Sequence, residues 1–384
     1  GLLGEQDGAL FCEYYGVTEA GNFEGQSILH VSREPSAFAR EKGISAKELE
    51  GHLAPLRRKL REAREARVHP GKDDKVIAAW NGMMISALAR GYQVLGEERF
   101  LKAAERAADF GLTEMVRDGA LLRTYPGKGD GKDEGVSKLP AYLDDYAEMA
   151  NGLVDLYEAT FDLQWLEAAD RLAGRMVVDF WDDENGGFFY TSARHKNLLA
   201  RTKPYYDGAV PSGNSTATLV LLRLSELLDN AVYHQKAEAV LASARDMMFA
   251  QPRGYLNLLG AADFFLHPMR EIAIAGKLSD GDTQRLLEVI HGRFIPNKVL
   301  ALVEPGAPGS EAIEERIPLL RYKGMMSGKT TVYVCRNRNC KLPVTDAAAL
   351  MEILDKPDVT PPTTDKPTAG GGPGRTGALI IEFE

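Results

Sequence analysis

The sequence predicts a mainly α fold, in which part of an (α/α)6 toroid of helical hairpins is followed by a small α/β domain. A motif pair recurs three times about 65 residues apart, and strand–helix alternation replaces it after residue 267. Each copy begins with a polar signature, continues as an apolar helix, and then gives a second helix opened by an aromatic residue. Stacked helical hairpins of this kind build a ring of helices around one central site.

The three copies align through a polar residue and an aromatic residue. The aromatic follows its polar partner by 19, 20 and 19 positions. The hairpins are therefore predicted over residues 77–116, 141–180 and 215–249, each followed by a short strand, at 119–125, 186–190 and 254–259. Because the polar residues take equivalent places at three helix starts, we expect them to converge on a shared cavity. The pairs are Asn81 with Phe100, Asp145 with Trp165, and Asn214 with Tyr233.

The helix count indicates part of a ring. Three hairpins supply six helices, and the leucine spacing over residues 46–67 predicts one more amphipathic helix. A closed six-hairpin toroid has about twelve helices. The chain also begins at Gly1 and not at Met, so we expect a fragment boundary there, with upstream sequence or a second copy completing the ring.

Four regions follow from these patterns. Residues 1–68 form an N-terminal segment with one amphipathic helix that is part of the toroid, and residues 69–267 hold the three hairpins. Residues 268–355 alternate strands (271–276, 298–303, 330–335) with helices, which predicts a small α/β domain with parallel pairing. Residues 356–384 are a Pro/Thr/Gly-rich tail that we expect to be disordered.

Composition narrows the function classes. The 384 residues are 44% apolar and 26% charged, with a net charge of −9. This acidic balance argues against nucleic-acid binding, and no apolar run reaches the roughly 18 residues of a membrane span. Three cysteines are too few for a disulfide scaffold, so a cytoplasmic location is the default. We expect no metal and no cofactor, and the oligomeric state is left open.

An acidic pair is the sharpest candidate for catalysis. Asp144 and Asp145 are adjacent, so at most one of them is expected to face the ring axis while the other caps the helix. The alignment with Asn81 and Asn214 favours Asp145 as the general acid, and a purely capping role is the alternative. Asp207 is the candidate second carboxyl group, as glycoside hydrolysis usually needs two.

Other polar and aromatic residues are candidates for substrate binding. Asn81 and Asn214 can orient hydroxyl groups, while Trp80, Tyr142 and Tyr146 can stack on sugar faces or serve as core aromatics. His195 precedes the third signature and is a candidate base for epimerisation, although a loop histidine more often faces solvent.

Cys335 and Cys340 have four residues between them and stand at the end of a predicted strand. This spacing fits neither a redox motif of two intervening residues nor a zinc site. Two unpaired thiols are the favoured interpretation, with a disulfide as the alternative.

Four motifs together resemble a known family. Residues 75–82 (KVIAAWNG), 141–147 (AYLDDYA), 211–215 (PSGNS) and 333–340 (YVCRNRNC) are similar to thioredoxin-domain-containing proteins of the spermatogenesis-associated protein 20 or YyaL type. The resemblance covers about residues 1–355. It implies an N-terminal thioredoxin-like domain in cis, absent here, before a toroid similar to six-hairpin glycosidases and N-acylglucosamine 2-epimerases. The signature it carries over adds Asp74, Lys75 and Ser212 to Trp80, Asn81, Asp144, Asp145 and Asn214.

Three functions remain open at this point. The first is a carbohydrate-active site of the glycosidase or epimerase type. The second is a non-catalytic scaffold that binds a ligand or client for the thioredoxin-like domain. The third is a redox role for Cys335 and Cys340.

Overall fold

The structure is a computed structural model, and it describes residues 1–126, 138–195, 198–267 and 269–356. The tail predicted over 356–384 therefore lies almost wholly outside the described residues. The chain divides into two compact units, Gly1–Asp73 and Asp74–Glu384.

The first unit is a small helical body with its own core. Its third helix starts with Ser45 accepting a hydrogen bond from the Glu48 N–H, while the Glu48 carboxylate accepts from the Ser45 N–H in return. This reciprocal cap and the leucine spacing explain the predicted helix, which is confirmed. Its assignment to the toroid stays a prediction. The helices are α1 (Glu5–Tyr14), α2 (Pro35–Glu41) and α3 (Ala46–Glu65), and they bury Phe11, Phe38, Leu49, Leu53 and Leu56.

The second unit contains the three predicted hairpins, which are confirmed. Each has an inner helix, which packs against the inner helix of the next hairpin, and an outer helix that returns antiparallel to it. Inner helices that contact in sequence order, backed by outer helices, are the arrangement of an (α/α) toroid, and the unit is a portion of one. The hairpins are α4 (Ala78–Leu95) with α5 (Glu98–Glu114), α6 (Leu143–Thr160) with α7 (Leu163–Phe180), and α8 (Gly213–Leu228) with α9 (Ala231–Ala250).

Two of the three strands predicted after the hairpins are wrong. Residues 186–190 form no strand, and Phe188 makes an isolated bridge to Trp181. The strand expected over 254–259 is instead the start of α10 (Leu256–Leu266), which packs against α8 as a fourth inner helix. The short apolar run fits either element, and tertiary packing against α8 decides for the helix.

Two glycines allow the closest helix contact. A Cβ added at Gly82 of α4 would overlap the backbone of Glu148 in α6, and one added at Gly152 of α6 would overlap the Gly82 carbonyl. The two backbones therefore touch directly. This contact places the first turns of α4 and α6 side by side.

Ion pairs to two buried carboxylates join the other ends of the inner helices. Arg223 of α8 reaches Asp155 of α6 (Nη1 to Oδ1, 2.7 Å) and Glu158 (Nη2 to Oε2, 3.1 Å), and Arg90 of α4 also reaches Asp155 (Nε to Oδ2, 3.0 Å). Burial opposes the charge of Asp155, yet Arg223 and Arg90 hold its pKa down to about 2. The charges are paired, as buried charges must be.

A short antiparallel sheet lies at the starts of α4 and α6. Strand β3 pairs with each of the other three. This sheet carries Arg123 toward the start of α6. Its strands are β1 (Val76–Ile77), β2 (Val116–Arg117), β3 (Ala120–Tyr125) and β4 (Lys138–Pro140).

The predicted C-terminal strands and helices are confirmed, with one correction to their pairing. Strands β5 and β6 pair in parallel, but β7 pairs antiparallel with β5. Alternate residues face opposite sides of the sheet, so Ala273 packs in the toroid core while Ile272 and Ile274 pack with α11 and α13. The elements are β5 (Arg270–Ala275), α11 (Gly281–His291), β6 (Lys298–Val303), α12 (Ser310–Arg316), β7 (Thr331–Arg336), β8 (Asn339–Cys340) and α13 (Ala347–Asp355).

A disulfide bond closes the β7–β8 hairpin. Cys335 and Cys340 are opposite each other in register, and their sulfur atoms are bonded. The favoured prediction of two unpaired thiols is therefore wrong. The tight turn brings the two β-carbons together across the strands, which the spacing in sequence does not show.

No helix within the described parts of the chain is both long enough and apolar enough to span a membrane. The cytoplasmic location stays a prediction.

Candidate functional site

The first turns of the inner helices meet at one end of the second unit. The Ala79 N–H at the start of α4 donates to Asp145 Oδ1 at the start of α6 (3.1 Å). A Cβ added at Gly213, the first residue of α8, would lie 2.5 Å from Asp144 Oδ1. Three consecutive helix starts are thus in contact, and the acidic pair lies between them. We call this region the helix-start site, comprising residues 79–81, 142–148, 212–216 and their side-chain partners.

Asp145 is engaged by the protein framework. It is fully buried and accepts hydrogen bonds from the N–H groups of Ala79 and Tyr142 (2.9 Å) and from Arg123 Nη1 (3.0 Å). Burial raises the pKa of Asp145, and these donors and the Arg123 charge oppose that rise. Such contacts favour the capping role that the sequence left open. The catalytic role of Asp145 is not tested by them and stays a prediction.

Asn214 is likewise committed to the backbone. Its side chain is fully buried, and Oδ1 accepts from the Phe188 N–H (2.8 Å). Its Nδ2 donates to the carbonyls of Phe188 and Pro204 (both 2.9 Å). Asn214 therefore holds the chain segments that approach the start of α8.

Asn81 has a more local contact. Its Nδ2 donates to the Ile77 carbonyl one turn earlier (2.9 Å), and the side chain is half-buried. Within the described chain, the hydrogen bonds of Asn81, Asp145 and Asn214 lead to separate backbone segments and do not join the three side chains. The helix starts converge as expected, but these contacts do not show a cavity shared by the three polar groups.

Asp144 lies against the start of α8, whereas Asp145 contacts the start of α4. It is half-buried, and burial raises its pKa to about 6, with the neighbouring Asp145 charge adding to the rise. The Arg123 charge and the Gly213 N–H oppose it. Asp144 is thus a carboxyl group that changes protonation near neutral pH.

Glu148 is a functional candidate that the sequence reasoning missed. It lies one turn after Asp144, is 5% exposed, and accepts a hydrogen bond from Thr216 Oγ1 (2.8 Å). Burial raises its pKa to about 7; the Thr216 hydrogen bond lowers it, and the charges of Asp144, Asp155 and Asp207 raise it. Its position four residues after Asp144, in an otherwise apolar stretch, is the signal that can reveal it.

Asp207 connects the starts of α8 and α10. Its Oδ1 accepts from the Ser212 N–H (2.8 Å), and its Oδ2 accepts from the N–H groups of Asn257 (2.9 Å) and Leu258 (3.2 Å). A carboxylate that caps a helix N-terminus in this way has a structural role. The Asn257 side chain in turn donates to Thr216 Oγ1 (3.3 Å), which continues the network from Glu148.

Ser212 is the N-terminal cap of α8. Its hydroxyl accepts from the Ser215 N–H (3.1 Å) and shares a hydrogen bond with the Ser215 hydroxyl (2.8 Å). The residue is 6% exposed. Ser212 therefore fixes the start of α8 rather than presenting a free hydroxyl group.

A stack of rings covers one side of the acidic pair. The half-buried Tyr142 ring lies nearly parallel to the rings of Tyr190 (4.8 Å between centres) and His195 (5.5 Å), and the Arg123 guanidinium lies 4.9 Å from its centre. His195 Nδ1 is buried and has no hydrogen-bond partner among the residues that the structure describes. The stack links the segment between α7 and α8, which contains Tyr190 and His195, to the start of α6.

The remaining candidates differ in exposure. Tyr146 is 3% exposed, and its hydroxyl accepts from the Leu121 N–H (2.9 Å), so its ring belongs to the core. Trp80 is 61% exposed on the first turn of α4. Lys75 is exposed and Asp74 half-buried, immediately before β1.

Comparison with known proteins gives relatives along most of the chain. No family model matches the sequence. Human spermatogenesis-associated protein 20 is 34% identical over 361 residues, which cover 90% of this chain and 46% of the human protein. The rat protein of the same name is 33% identical over 361 residues, with the same coverage.

The chain is homologous to part of spermatogenesis-associated protein 20. It spans about half the length of the curated relatives that it matches. The resemblance inferred from the four motifs is thereby confirmed. The thioredoxin-like domain that the resemblance implies stays a proposal.

Solved structures with similar arrangements include two carbohydrate enzymes. A cellobiose 2-epimerase from Bacillus thermoamylovorans matches with a TM-score of 0.36 and 15% identity, over 45% of each chain. An alpha-mannanase from Bacteroides thetaiotaomicron matches with a TM-score of 0.41 and 16% identity, over 59% of this chain and 58% of the other. The toroid assignment of this chain rests on its own helix contacts.

Proposed function

We propose that the helix-start site is a carbohydrate-active site in which Asp144 and Glu148 exchange protons with the substrate. The observation that carries this proposal is a pair of carboxyl groups one helical turn apart, with pKa values raised to about 6 and about 7. Carboxyl groups that titrate near neutral pH are suited to general acid and base catalysis.

The pair supports two roles at one site. Glu148, with the higher pKa, holds a proton near neutral pH and can donate it to a leaving oxygen. Asp144, with the lower pKa, is largely ionised at pH 7 and can accept a proton or stabilise positive charge. An acid and a base with different pKa values are one of the features that glycoside hydrolysis, and proton transfer beside a sugar carbonyl, depend on.

The surroundings are suited to a polyhydroxyl ligand. Trp80 is 61% exposed and offers an apolar surface of the kind on which sugars stack, whereas Tyr146 is buried. The half-buried Tyr142 ring is already stacked on Tyr190 and His195 and takes a supporting role. Thr216 and Asn257 supply neutral hydrogen-bonding groups beside Glu148. Trp80 and Asn81 lie on the first turn of α4 and are assigned to the rim of the site.

Other sequence candidates take supporting roles in this proposal. Asp145, Asn214, Ser212 and Asp207 hold the starts of α4, α6, α8 and α10 through backbone hydrogen bonds. These contacts orient Asp144 and Glu148. Lys75 and Asp74 lie immediately before β1, which leads into α4, and we assign them no role in proton transfer.

A turnover assay on the full chain tests the proposal. We would screen nitrophenyl glycosides by absorbance and reducing sugars by chromatography, with wild type, Asp144→Asn and Glu148→Gln. Each substitution should reduce turnover by about 100-fold or more, the range lost with a general acid or base. The exposed carboxylate variant Glu167→Gln on α7 is the matched control and should keep full activity.

The rival function is a scaffold that binds a ligand or client without chemistry. It predicts that a sugar raises the melting temperature of the wild type while no product forms. Binding without turnover, or equal turnover in Glu148→Gln and Glu167→Gln, would reject the catalytic proposal.

A further inference from the structure

The Cys335–Cys340 disulfide lies apart from the helix-start site, at the far end of β7. Cys335 is 1% exposed on a strand in the middle of the sheet, whereas Cys340 is exposed on the two-residue edge strand β8. One sulfur atom is therefore buried, and the other belongs to a residue that solvent reaches. This asymmetry decides which sulfur an external thiol can approach.

A small cavity adjoins both cysteines. It has a volume of about 80 Å³ and is lined by both cysteines together with Lys323, Arg338, Glu226 and Glu271. Around a thiolate formed at Cys335, the cavity lining carries the ammonium group of Lys323 and the guanidinium group of Arg338, which favour it, and the carboxyl groups of Glu226 and Glu271, which oppose it. Positive charge beside a sulfur lowers the pKa of its thiol and makes it a better leaving group.

The surroundings of the hairpin are rich in positive charge. Arg336 and Arg338 flank the turn, and Lys341 follows Cys340 directly. Burial, and then the charges of Arg336 and Arg270, lower the pKa of Lys341. Arg336 and Arg270 thus lie close enough to Lys341 to disfavour its charged form, in addition to the effect of burial.

The turn between the two strands is held from outside the hairpin. Asn337 and Arg338 both have positive φ angles, 46° and 61°, in the region that disfavours most side chains. The Arg338 N–H donates to Glu271 Oε1 (3.0 Å), and the Arg338 guanidinium pairs with Asp229 of the α8–α9 turn. These contacts keep the turn folded when the S–S bond is open, so the two cysteines remain positioned to close it again.

We propose that Cys335 and Cys340 form a thiol–disulfide exchange site that accepts two electrons from a dithiol. A thiolate of the dithiol attacks Cys340 Sγ, the Cys340–Cys335 bond breaks, and its electron pair passes to Cys335 Sγ. The second thiol of the donor then attacks the donor sulfur of the mixed disulfide and releases Cys340 as a thiolate. The donor ends as a disulfide, and its two protons pass to the cysteine thiolates.

Native-state reduction tests the site. In a Cys12→Ser background the oxidised chain should bind no N-ethylmaleimide. After treatment with dithiothreitol, or with reduced thioredoxin in a second arm, mass spectrometry should find two added maleimide groups while circular dichroism stays that of the folded protein. Reduction by either donor supports the site, and comparison of the two arms separates a small dithiol from a protein dithiol. Labelling that appears only in denaturant would overturn the proposal.

Single-cysteine chains test which sulfur is attacked. With Cys12 replaced, the Cys340 thiol of Cys335→Ser should react readily with Ellman's reagent, and the Cys335 thiol of Cys340→Ser should react slowly. Equal reactivity, or the reverse order, would overturn the assigned attack on Cys340.

A charge variant tests the leaving group. Lys323→Gln should slow reduction by about two- to threefold, as expected when the pKa of a leaving thiol rises modestly. The matched control is Lys329→Gln, an exposed lysine two residues before the start of β7 and so at the opposite end of the strand from Cys335, which should reduce at the wild-type rate. Equal rates in all three chains would remove Lys323 from the mechanism.

Discussion

Asp145 accepts a hydrogen bond from the backbone N–H of Ala79, 66 residues earlier in the chain, at 3.1 Å. A side chain at the start of one inner helix therefore satisfies a backbone donor at the start of the previous one. Helix N-termini carry unsatisfied N–H groups, and a carboxylate from a neighbouring helix is a strong partner for them. This contact fixes the position of α6 along the axis of α4, and therefore the positions of Asp144 and Glu148.

Asp145→Asn should destabilise the protein. An amide keeps one acceptor but loses the charge that faces Arg123 and two helix-start N–H groups. We expect the free energy of unfolding to fall by about 2–3 kcal/mol, since hydrogen bonds to charged groups are the strong ones. Urea denaturation measures it, with Asp144→Asn as the control, which should lose less than half as much. An unchanged urea midpoint together with abolished turnover would instead restore Asp145 as the catalytic acid.

Glu148 should make stability depend on pH. Its pKa is about 7 in the folded protein against 4.5 in the reference state, so the native state holds the proton more tightly than the unfolded chain. The stabilisation is fully present below pH 4.5 and is lost as pH rises through 7. We expect about 2 kcal/mol of loss across this window, less than the full shift implies. Urea denaturation between pH 4 and 8, about the span of that window, measures it.

Glu148→Gln is the control for that dependence. The amide does not titrate, so the variant should show a flatter stability profile over the same range, with Asp144 still contributing in the same direction. A wild-type profile that rises with pH across this window would contradict the buried, protonated state of Glu148.

Asn214→Ala and Asn81→Ala should differ although the sequence aligns the two residues. Asn214 is fully buried and makes three hydrogen bonds, so its removal leaves the Phe188 and Pro204 groups without that partner. We expect a loss of about 3 kcal/mol for Asn214→Ala and under about 1 kcal/mol for Asn81→Ala. Thermal and urea unfolding compare them. Similar losses of unfolding free energy would contradict this difference, because Asn81 would then stabilise the fold as much as Asn214 does.

Gly82→Ala should disturb the α4–α6 contact. Its new methyl group would overlap the Glu148 backbone, and the two helices would have to separate. Overpacking of this kind costs about 1–3 kcal/mol or more. Gly91→Ala on the same helix is the matched control, because its Cβ would lie 3.5 Å from the Phe100 ring, an ordinary contact.

The control should be neutral or stabilising by up to about 1 kcal/mol, since alanine is the better helix former. Differential scanning calorimetry of the two variants compares them. A stable Gly82→Ala protein with unchanged activity would show that α4 and α6 can separate without moving the site.

Local sequence patterns were sufficient to predict the hairpin helices and the three long C-terminal strands. The spacing of polar and aromatic residues predicts α4 to α9, and alternation of strands and helices predicts β5, β6 and β7. Helix α10 was missed because a short apolar run has no local feature that separates a strand from a buried helix. The antiparallel pairing of β7 was missed because strand direction depends on how the chain returns to the sheet.

The sequence patterns predicted only part of the helix-start site. Alignment brought Asp144 and Asp145 to the right helix start, since equivalent repeat positions occupy equivalent places in a ring. It favoured Asp145, yet the structure ties Asp145 to Ala79 and Arg123 and leaves Asp144 beside Glu148. Glu148 stayed hidden because its significance comes from burial and from Thr216, 68 residues away.

The sequence by itself determined the hairpins, their repeat and the helix end at which the acidic pair lies, because hydrophobic periodicity and helix caps are local properties. The tertiary structure determines that Asp145 accepts the helix-start hydrogen bonds and that the pKa of Asp144 is raised to about 6. It also determines that Cys335 bonds to Cys340. Those outcomes depend on burial and on donors from distant parts of the chain, and desolvation and charge act through space rather than along the sequence.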